Sequence, residues 1–505
     1  MGFRRISGFT AAVAALALTI TGCSAGAESS AGEGGDSART DLVVAHTAEP
    51  VNLDFTTTAG AAIPQALMEN VYESLVRIDQ SGELQPALAK SWEISDDRTT
   101  YTFELQDGVT FSNGDEFSSS DVKFSYDRVT SDEWQNTLKS KMEIIDSIET
   151  PDETTVEITL QRPSNSWLFD LASLVGAVFS EDAVDDLANQ AIGTGPFSIS
   201  DYTRGQRIVF ASRDDYWGEA PALEQVTFQY FKDSVAAANA LRSGEVDVLG
   251  NLQAPELAGE FESGEDFQVL EGTANGEVVL SMNNAEGVFA DQTAREAVLY
   301  AIDEQTILDT AWGGYGTLIG GMVPPTDPYY EDLTGVWEHD VDKAKELVAE
   351  AGIEGEEIRF AVPSLPYATA IADIVVSQLE AAGLQPKIET QEFPAVWLDK
   401  TFTNHDYDMS VINHVEARDI LTVFGEGSYT GYDHTRIEDI AQQADEGSEE
   451  EYVSGMQEVA RTITEDAAAG FAFLFPNLIV AKAGVQGLPE NFVSDSFPIH
   501  ALAWG

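Results

Sequence analysis

The densest run of side chains able to do chemistry is NHDYDMSVINHVEARDI, Asn404 to Ile420, which gathers two histidines, four carboxylates and an arginine. Tyr407, Met409, Val411 and Asn413 alternate with Asp408, Ser410 and Ile412, so a strand is expected from Tyr407 to Asn413. It would deliver His414, Glu416, Arg418 and Asp419 to a loop at its C-terminal end. Such a loop suits the recognition of a small charged solute. A zwitterion or cation enclosed by protein must meet a counter-charge, because an unpaired buried ion is costly. Glu416 can meet an amine, and Arg418 can offer its planar fork to a carboxylate. Alternatively, Arg418 pairs with Asp419 or Glu416 and only shapes the loop.

A metal reading of the same region uses His405, Asp408, His414, Glu416 and His434, since imidazole and carboxylate suit zinc or nickel. Against it, His405 and Asp408 should point away from His414 across the strand, and the spacing matches no ligand pattern. No metal is expected, and His414 is read instead as a hydrogen-bonding residue lining a cleft. Covalent catalysis finds no support: the chain has no Gly-x-Ser-x-Gly elbow, no His-Glu-x-x-His and no Walker loop with its lysine. It also lacks a Gly-x-Gly-x-x-Gly after a strand. The paired acids Asp96-Asp97 and Asp214-Asp215 sit in turn-like contexts, where solvated loop acids are the rule. Neither enzymatic activity nor a cofactor is expected.

The elements that must position this loop can be read from periodicity. From Ile192 to Leu249, alternating runs at Phe197 to Ser200, Arg207 to Ala211 and Val226 to Tyr230 predict half-buried strands. A helix capped by Ser234 should follow, with Val235, Ala238 and Leu241 on one face and Gly244 ending it before a short strand at Val246 to Leu249. Upstream, Asn70 to Val129 predicts a helix, a turn at Ser81-Gly82, and a strand with Tyr101, Phe103 and Leu105 on one face. A further helix there would be capped by Ser119 or Ser120. Thr154 to Leu160 reads as a strand, and Ser164 to Leu174 as a helix with Trp167, Leu168 and Leu171 inward.

Downstream, Val278, Leu280 and Met282 alternate, and Asp291 or Thr293 opens a helix burying Ala294, Val298 and Ala301. Helices at Asp340 to Ala351 and Tyr367 to Ala382 alternate with strands at Ile358 to Val362 and Pro386 to Thr390. This alternation implies an open sheet covered by helices, with a ligand crevice at its strand ends. Two acidic helices and an apolar run, Gly470 to Val480, follow.

At 505 residues and 43% hydrophobic content, two to four domains with substantial cores are expected. Only 26 basic residues face 87 acidic ones, a net charge of −61, so phosphate backbones would be repelled and nucleic acid is excluded as a partner. Met1 to Gly22 has a basic start with Arg4 and Arg5, an apolar run from Phe9 to Ile20 too short to span a bilayer, and small residues before a break. Ile20-Thr21-Gly22-Cys23 resembles the bacterial lipobox, and Cys23 is the sole cysteine, so no disulfide forms within one chain. Ser24 to Thr40 is a Ser-, Gly- and Ala-rich tether.

Several stretches carry a family resemblance. These are HTAEPVNLDF, the L.P.LA.SWE.S.D..TYTF series before Leu105, GTGPF at Gly193, RDDYWG at Arg213, ALRSGEVDVL ending at Leu249, and the MNN...YAID series from Met282 to Asp303. Together they resemble the extracytoplasmic solute-binding proteins of ABC importers, the bacterial extracellular family 5 that takes peptides, oligopeptides and nickel. The resemblance implies an α/β, two-lobed, type II periplasmic-binding-protein fold (cluster C) with an extra subdomain inserted in the first lobe. It places the leader at 1–22, the tether at 23–40, lobe I at 41–66, 190–275 and 485–505, the inserted subdomain at 67–189 and lobe II at 276–484.

The resemblance also implies function. The chain would capture di- or oligopeptides by lobe closure and hand them to ABC permease subunits driven by a separate ATPase. It would do so as a monomer held to the outer leaflet by two acyl chains on Cys23. Glu416 falls where peptide-binding relatives supply the acid for the α-amino group, while Arg418-Asp419-Ile420 departs from the usual Asp/Glu-Pro pair. Glu49 lies in the segment that lines the cleft, and Asn283 matches the motif opening the second lobe. The expected ligand-binding set is Glu416, Arg418, Asp419, His414, Glu49 and Asn283. Other ligands open on this reading are a nickel chelate, an opine or an oligosaccharide; a surface-anchored hydrolase is the alternative of another class.

Overall fold

The computed structural model describes residues 39–58 and 60–505, so the expected leader, Cys23 and most of the tether lie outside the described residues. Two long strands, Phe267–Met282 and Ala469–Lys482, run antiparallel through the middle of a ten-stranded sheet. On one side of them lie, in order, Val248–Leu249, Asp41–His46, Gln225–Tyr230, Arg207–Ser212 and Phe197–Thr203. On the other lie Met409–His414, Glu357–Pro363 and Gln385–Gln391. The ladder between the long strands runs from Phe267 opposite Lys482 to Thr273 opposite Pro476, breaks, and resumes from Glu277 opposite Leu474. Pro476 has no N–H to donate, so the ladder is weakest where one half of the molecule passes into the other.

Each half has its own core. Val278, Leu280, Phe360 and Met409 pack beneath the helices Gln292–Ala301, Val341–Ala351 and Pro366–Ala382. These helices begin at Asp291 and Asp340 caps or at Pro366, and two of them end at left-handed Gly352 and Gly383. In the other half, Leu42, Phe210 and Phe228 share one apolar cluster with Phe103 of a separate four-stranded antiparallel sheet and with Tyr126 and Trp167 of the helices Ser119–Val129 and Trp167–Leu171. That sheet orders Ala89–Ile94, Thr100–Leu105, Thr155–Leu160 and Ile145–Asp152. A shared core makes it an extension of the first lobe rather than a free module.

The motifs behind the family resemblance hold this lobe together. Gly193 and Gly195 pass so close to the chain that an added Cβ would lie 2.0 Å from the Val71 carbonyl oxygen and 2.7 Å from that of Asn70. Arg213, 7% exposed, donates to the carbonyls of Gly193 (3.3 Å), Gly195 (3.2 Å), Thr110 (2.9 Å) and Phe111 (3.3 Å). Tyr216 and Trp217 both donate to the buried Glu73 carboxylate at 2.9 Å, and Thr194 does so at 2.8 Å. The run RDDYWG is therefore a clamp that ties the inserted segment to the first lobe.

Three readings from periodicity need correction. The helix expected from Asn70 is absent; the helix lies earlier, at Ala62–Leu67, and Val76–Ile78 pairs with Leu84–Pro86. Tertiary hydrogen bonds took that backbone: Asn70 and Val71 carbonyls accept from Phe197 and Gly195, and Ser74 and Leu75 carbonyls from Leu88 and Ala87. Helix Ser234–Ser243 is capped by Asp233, and Val235 is 54% exposed while Ala237, Ala238, Ala240 and Leu241 are buried. The capping box of helix Ser119–Val129 is built by Ser118 with Asp121, one residue before the expected caps.

Candidate ligand-binding site

Strand Met409–His414 pairs with Glu277 to Met282 on one side and with Phe360 and Ala361 on the other, which fixes where its C-terminal loop begins. Its entry is pinned as well. Asp408 accepts from the Arg359 backbone N (2.8 Å) and guanidinium (2.9 Å), and Tyr407 donates to the Tyr429 carbonyl at 2.9 Å. The loop then turns through Arg418, whose φ of 56° is left-handed, and continues into the short helix Ile420–Phe424. That turn aims the Arg418 guanidinium across to the first lobe, where it stacks 3.5 Å above the Phe169 ring. From behind, Asp327 takes its Nε–H at 3.1 Å, and both members of this pair are half-buried.

Arg418 and Phe169 stand on the wall of a cavity of about 420 Å³. The first lobe contributes Lys141, Arg162, Phe169 and Asp170, and the second contributes Tyr329, Arg418, Ile437, Tyr452 and their neighbours. This volume is in the range of small-ligand sites, and the lining mixes aromatic faces with a few charged groups. A second pocket of about 30 Å³ shares Lys141 and Phe169 and adds Glu416, Ala417 and Asp495. The gap between the lobes thus has a roomy and a narrow compartment, with Lys141 and Phe169 on both.

Polar contacts seal the rim of the larger compartment. The carboxylate of Asp445, at the end of helix Glu438–Glu446, accepts from Ser164 Oγ (2.9 Å) and from the backbone N–H groups of Asn165 and Ser166 (both 3.0 Å). Arg162 pairs with its other oxygen at 2.6 Å. The Asn165 amide donates to the carbonyls of Ala444 (3.1 Å), Asp445 (2.9 Å) and Gly447 (2.9 Å), and Arg98 donates to that of Gly447. The free carbonyls of a helix C-terminus are thereby satisfied by the opposite lobe.

The electrostatics are dominated by acids short of partners. Burial raises the pKa of Asp170, and Lys141 at 3.0 Å opposes that rise. Burial disfavours the Lys141 ammonium, yet Asp170, Asp495 and Glu416 together hold its pKa above the usual lysine value. Glu416 is an exposed loop residue whose carboxyl is still surrounded enough for its pKa to rise. Behind the loop, Asp419 and Glu277 are buried, and both carboxyls are pushed well above their ordinary values, by burial first and then by a neighbouring acid, Glu416 for Asp419 and Asp419 for Glu277. One oxygen each of Asp419, Glu277 and Asp327 has no hydrogen-bond partner.

The structure sorts the residues expected from sequence. Arg418 lines the larger compartment and Glu416 the smaller. Arg418 pairs with neither Asp419 nor Glu416 but with Asp327. Asp419 and His414 line neither compartment: His414 sits 3.7 Å from Asp419 and 3.0 Å from the Tyr429 hydroxyl, and burial lowers its pKa to about 4, so it is neutral. Asn283 is buried in the second lobe, its amide spent on the carbonyls of His405 (3.2 Å) and Tyr407 (3.3 Å), where it braces the start of the strand. Glu49 accepts from the Gly205 backbone and lines neither compartment. His405, His414 and His434 do not converge, and among the described residues no three metal-ligating side chains stand together.

Sequence reasoning missed Lys141, Phe169, Asp170, Asp327, Asp445 and Asp495. The only trace was indirect: basic residues are so scarce in this chain that each cation near the Glu416 loop counts.

Comparison with known proteins adds the following. Residues 83–418 match the family model described as bacterial extracellular solute-binding proteins, family 5 middle. The chain is 28% identical over 361 residues to heme-binding protein A of Haemophilus influenzae, covering 65% of this chain and 66% of that protein. It is 28% identical over 343 residues to the dipeptide-binding protein of Escherichia coli K12, covering 62% and 64%. The matched part thus spans just under two thirds of the length of these curated relatives. Among solved structures, the PBP AgaA of A. tumefaciens R10 in complex with agropinic acid superposes with a TM-score of 0.78 at 25% identity, covering 92% of this chain and 99% of that one. Among the described residues no helix is long and apolar enough to cross a membrane.

Proposed function

Since the chain belongs to the bacterial extracellular solute-binding proteins of family 5, we propose that it is the capture component of an ABC importer, enclosing a peptide between its lobes and passing it on unaltered. The observation that carries this reading is the compartmented gap itself. Charged and aromatic groups from both lobes converge on a space of about 420 Å³, with no nucleophile and base set against each other there. Glu416 is the anchor for the ligand's amine, and Arg418 offers the cavity a guanidinium for a carboxylate. Closure is ligand-driven: the lobes meet through modest polar contacts, and a micromolar ligand adds about −8 kcal/mol, ample to shift such a balance.

The lipobox-like Ile20 to Cys23 supports attachment of the protein to the outer leaflet by diacylated Cys23, with its permease partners in the same membrane. A non-peptide solute is the second reading, favoured by the likeness to a protein that holds agropinic acid. Titration calorimetry with di- to pentapeptides, beside agropinic acid and nickel-histidine, separates the two. Heat from the peptides alone supports the proposal, and heat from the others alone overturns it. Mass spectrometry of the recovered peptides must find them intact; cleavage would make the protein a hydrolase.

A further inference from the structure

The charges around the inter-lobe gap do not balance. Six carboxylates line its two compartments, namely Asp170, Glu416, Glu426, Glu438, Asp445 and Asp495, against the three permanent cations Lys141, Arg162 and Arg418. Arg162 pairs with Asp445, one of the six, at the rim, and the Arg418 Nε–H is taken by Asp327, which lies behind the wall. Arg418 acts on Asp170 through space, while Lys141 is the cation that pairs directly with an interior acid. It reaches in from the first lobe to within 3.0 Å of Asp170, on the walls of both compartments, with Glu416 and Asp495 sharing the smaller one. Asp495 otherwise accepts only the backbone N–H of Leu174, at 2.8 Å. Just behind the Glu416 loop, Asp419 is buried and Asp327 half-buried, with an unpartnered oxygen each.

Resting on the solute-capture reading, we infer that the site selects ligands carrying more positive than negative charge, and that Lys141 is the specificity-determining residue, its ammonium standing in for the ligand's extra cation until that cation displaces it. The geometry allows the exchange because Lys141 is on a different lobe from Glu416 and on a flexible four-carbon stem. A neutral zwitterion adds no net positive charge to this acidic lining, whereas a ligand with an additional ammonium or guanidinium supplies the charge that Lys141 otherwise provides.

The test is calorimetry with three tripeptides, Ala-Lys-Ala, Ala-Gln-Ala and Ala-Glu-Ala, on the full protein and on Lys141→Met. The expected order of affinity is lysine over glutamine over glutamate. In Lys141→Met, affinity for Ala-Lys-Ala rises about tenfold while that for Ala-Gln-Ala moves less than about threefold. Lys141→Met paired with Asp170→Asn gives the same ranking if the single variant, which strands the Asp170 charge, does not fold. A flat or inverted charge order, or a loss of Ala-Lys-Ala affinity in the variant, overturns the inference and leaves peptide capture standing. If no tripeptide binds, peptide capture fails, and the charge inference is decided by cadaverine against glutarate: binding of the diamine alone sustains it, and silence or preference for the dicarboxylate overturns it.

Discussion

Replacing Asp445 with alanine removes the most heavily used acceptor between the lobes. Its carboxylate takes two backbone N–H groups at 3.0 Å, the Ser164 hydroxyl at 2.9 Å and Arg162 at 2.6 Å. Hydrogen bonds to a charged group contribute about 1.5–3 kcal/mol each when nothing replaces them. Here most of that is recovered, because all four donors meet water once the lobes part, and the half-exposed Arg162 pair is worth at most about 1 kcal/mol. The Asn165 and Arg98 bonds to the helix end survive the change.

A net loss of about 2–3 kcal/mol from closure remains, which is a factor of about 30–150 in the open–closed equilibrium. In a protein that is mostly open without ligand, the apparent Kd rises by that factor, while ligand-free thermal stability stays put because neither lobe's core is touched. Energy transfer between dyes on the two lobes gives the closed fraction, and calorimetry gives Kd. A Kd within about threefold of the parent, with an unchanged closed fraction, would refute the assignment of Asp445 to closure.

Glu416→Gln is expected to weaken peptide binding at least about tenfold, the loss of one charge-assisted contact, without lowering the ligand-free melting temperature; calorimetry showing equal affinity would retire it as the amine anchor. Arg213→Met should cost about 3 kcal/mol or more, since four buried carbonyls lose their donor. The reading is a denaturant midpoint, and an unshifted midpoint would show that the clamp is dispensable. His46 is 5% exposed between Phe228 and Phe497, and burial lowers its pKa to about 4. The unfolded chain takes up a proton below pH 6.5 that the folded state refuses, so stability is lost as pH falls from about 6.5 toward 4, by at most about 3 kcal/mol from this residue. His46→Leu should flatten that part of the stability–pH profile, and an unchanged slope would count against a neutral, buried imidazole.

What the sequence determined by itself is what local pattern encodes. Alternation at Val278, Leu280 and Met282, the caps at Asp291 and Asp340, and the stops at Gly352 and Gly383 each depend on residues within a few positions, and the elements fall there. So does the strand that presents Glu416 and Arg418. Where distant backbone competed, as at Asn70 to Leu75, local pattern failed, because carbonyls that would have closed a helix were claimed by Gly195, Phe197, Ala87 and Leu88.

The site belongs to the second category. Lys141, Phe169, Arg418, Asp445 and Asp495 come together only because two lobes with separate cores face each other. Asn283 and His414 look as suitable in sequence, yet they spend their polar groups inside one lobe. Periodicity tells which face of an element is buried but carries no information about which distant surface covers it. Only the tertiary structure decides which charges share a cavity and which are already matched.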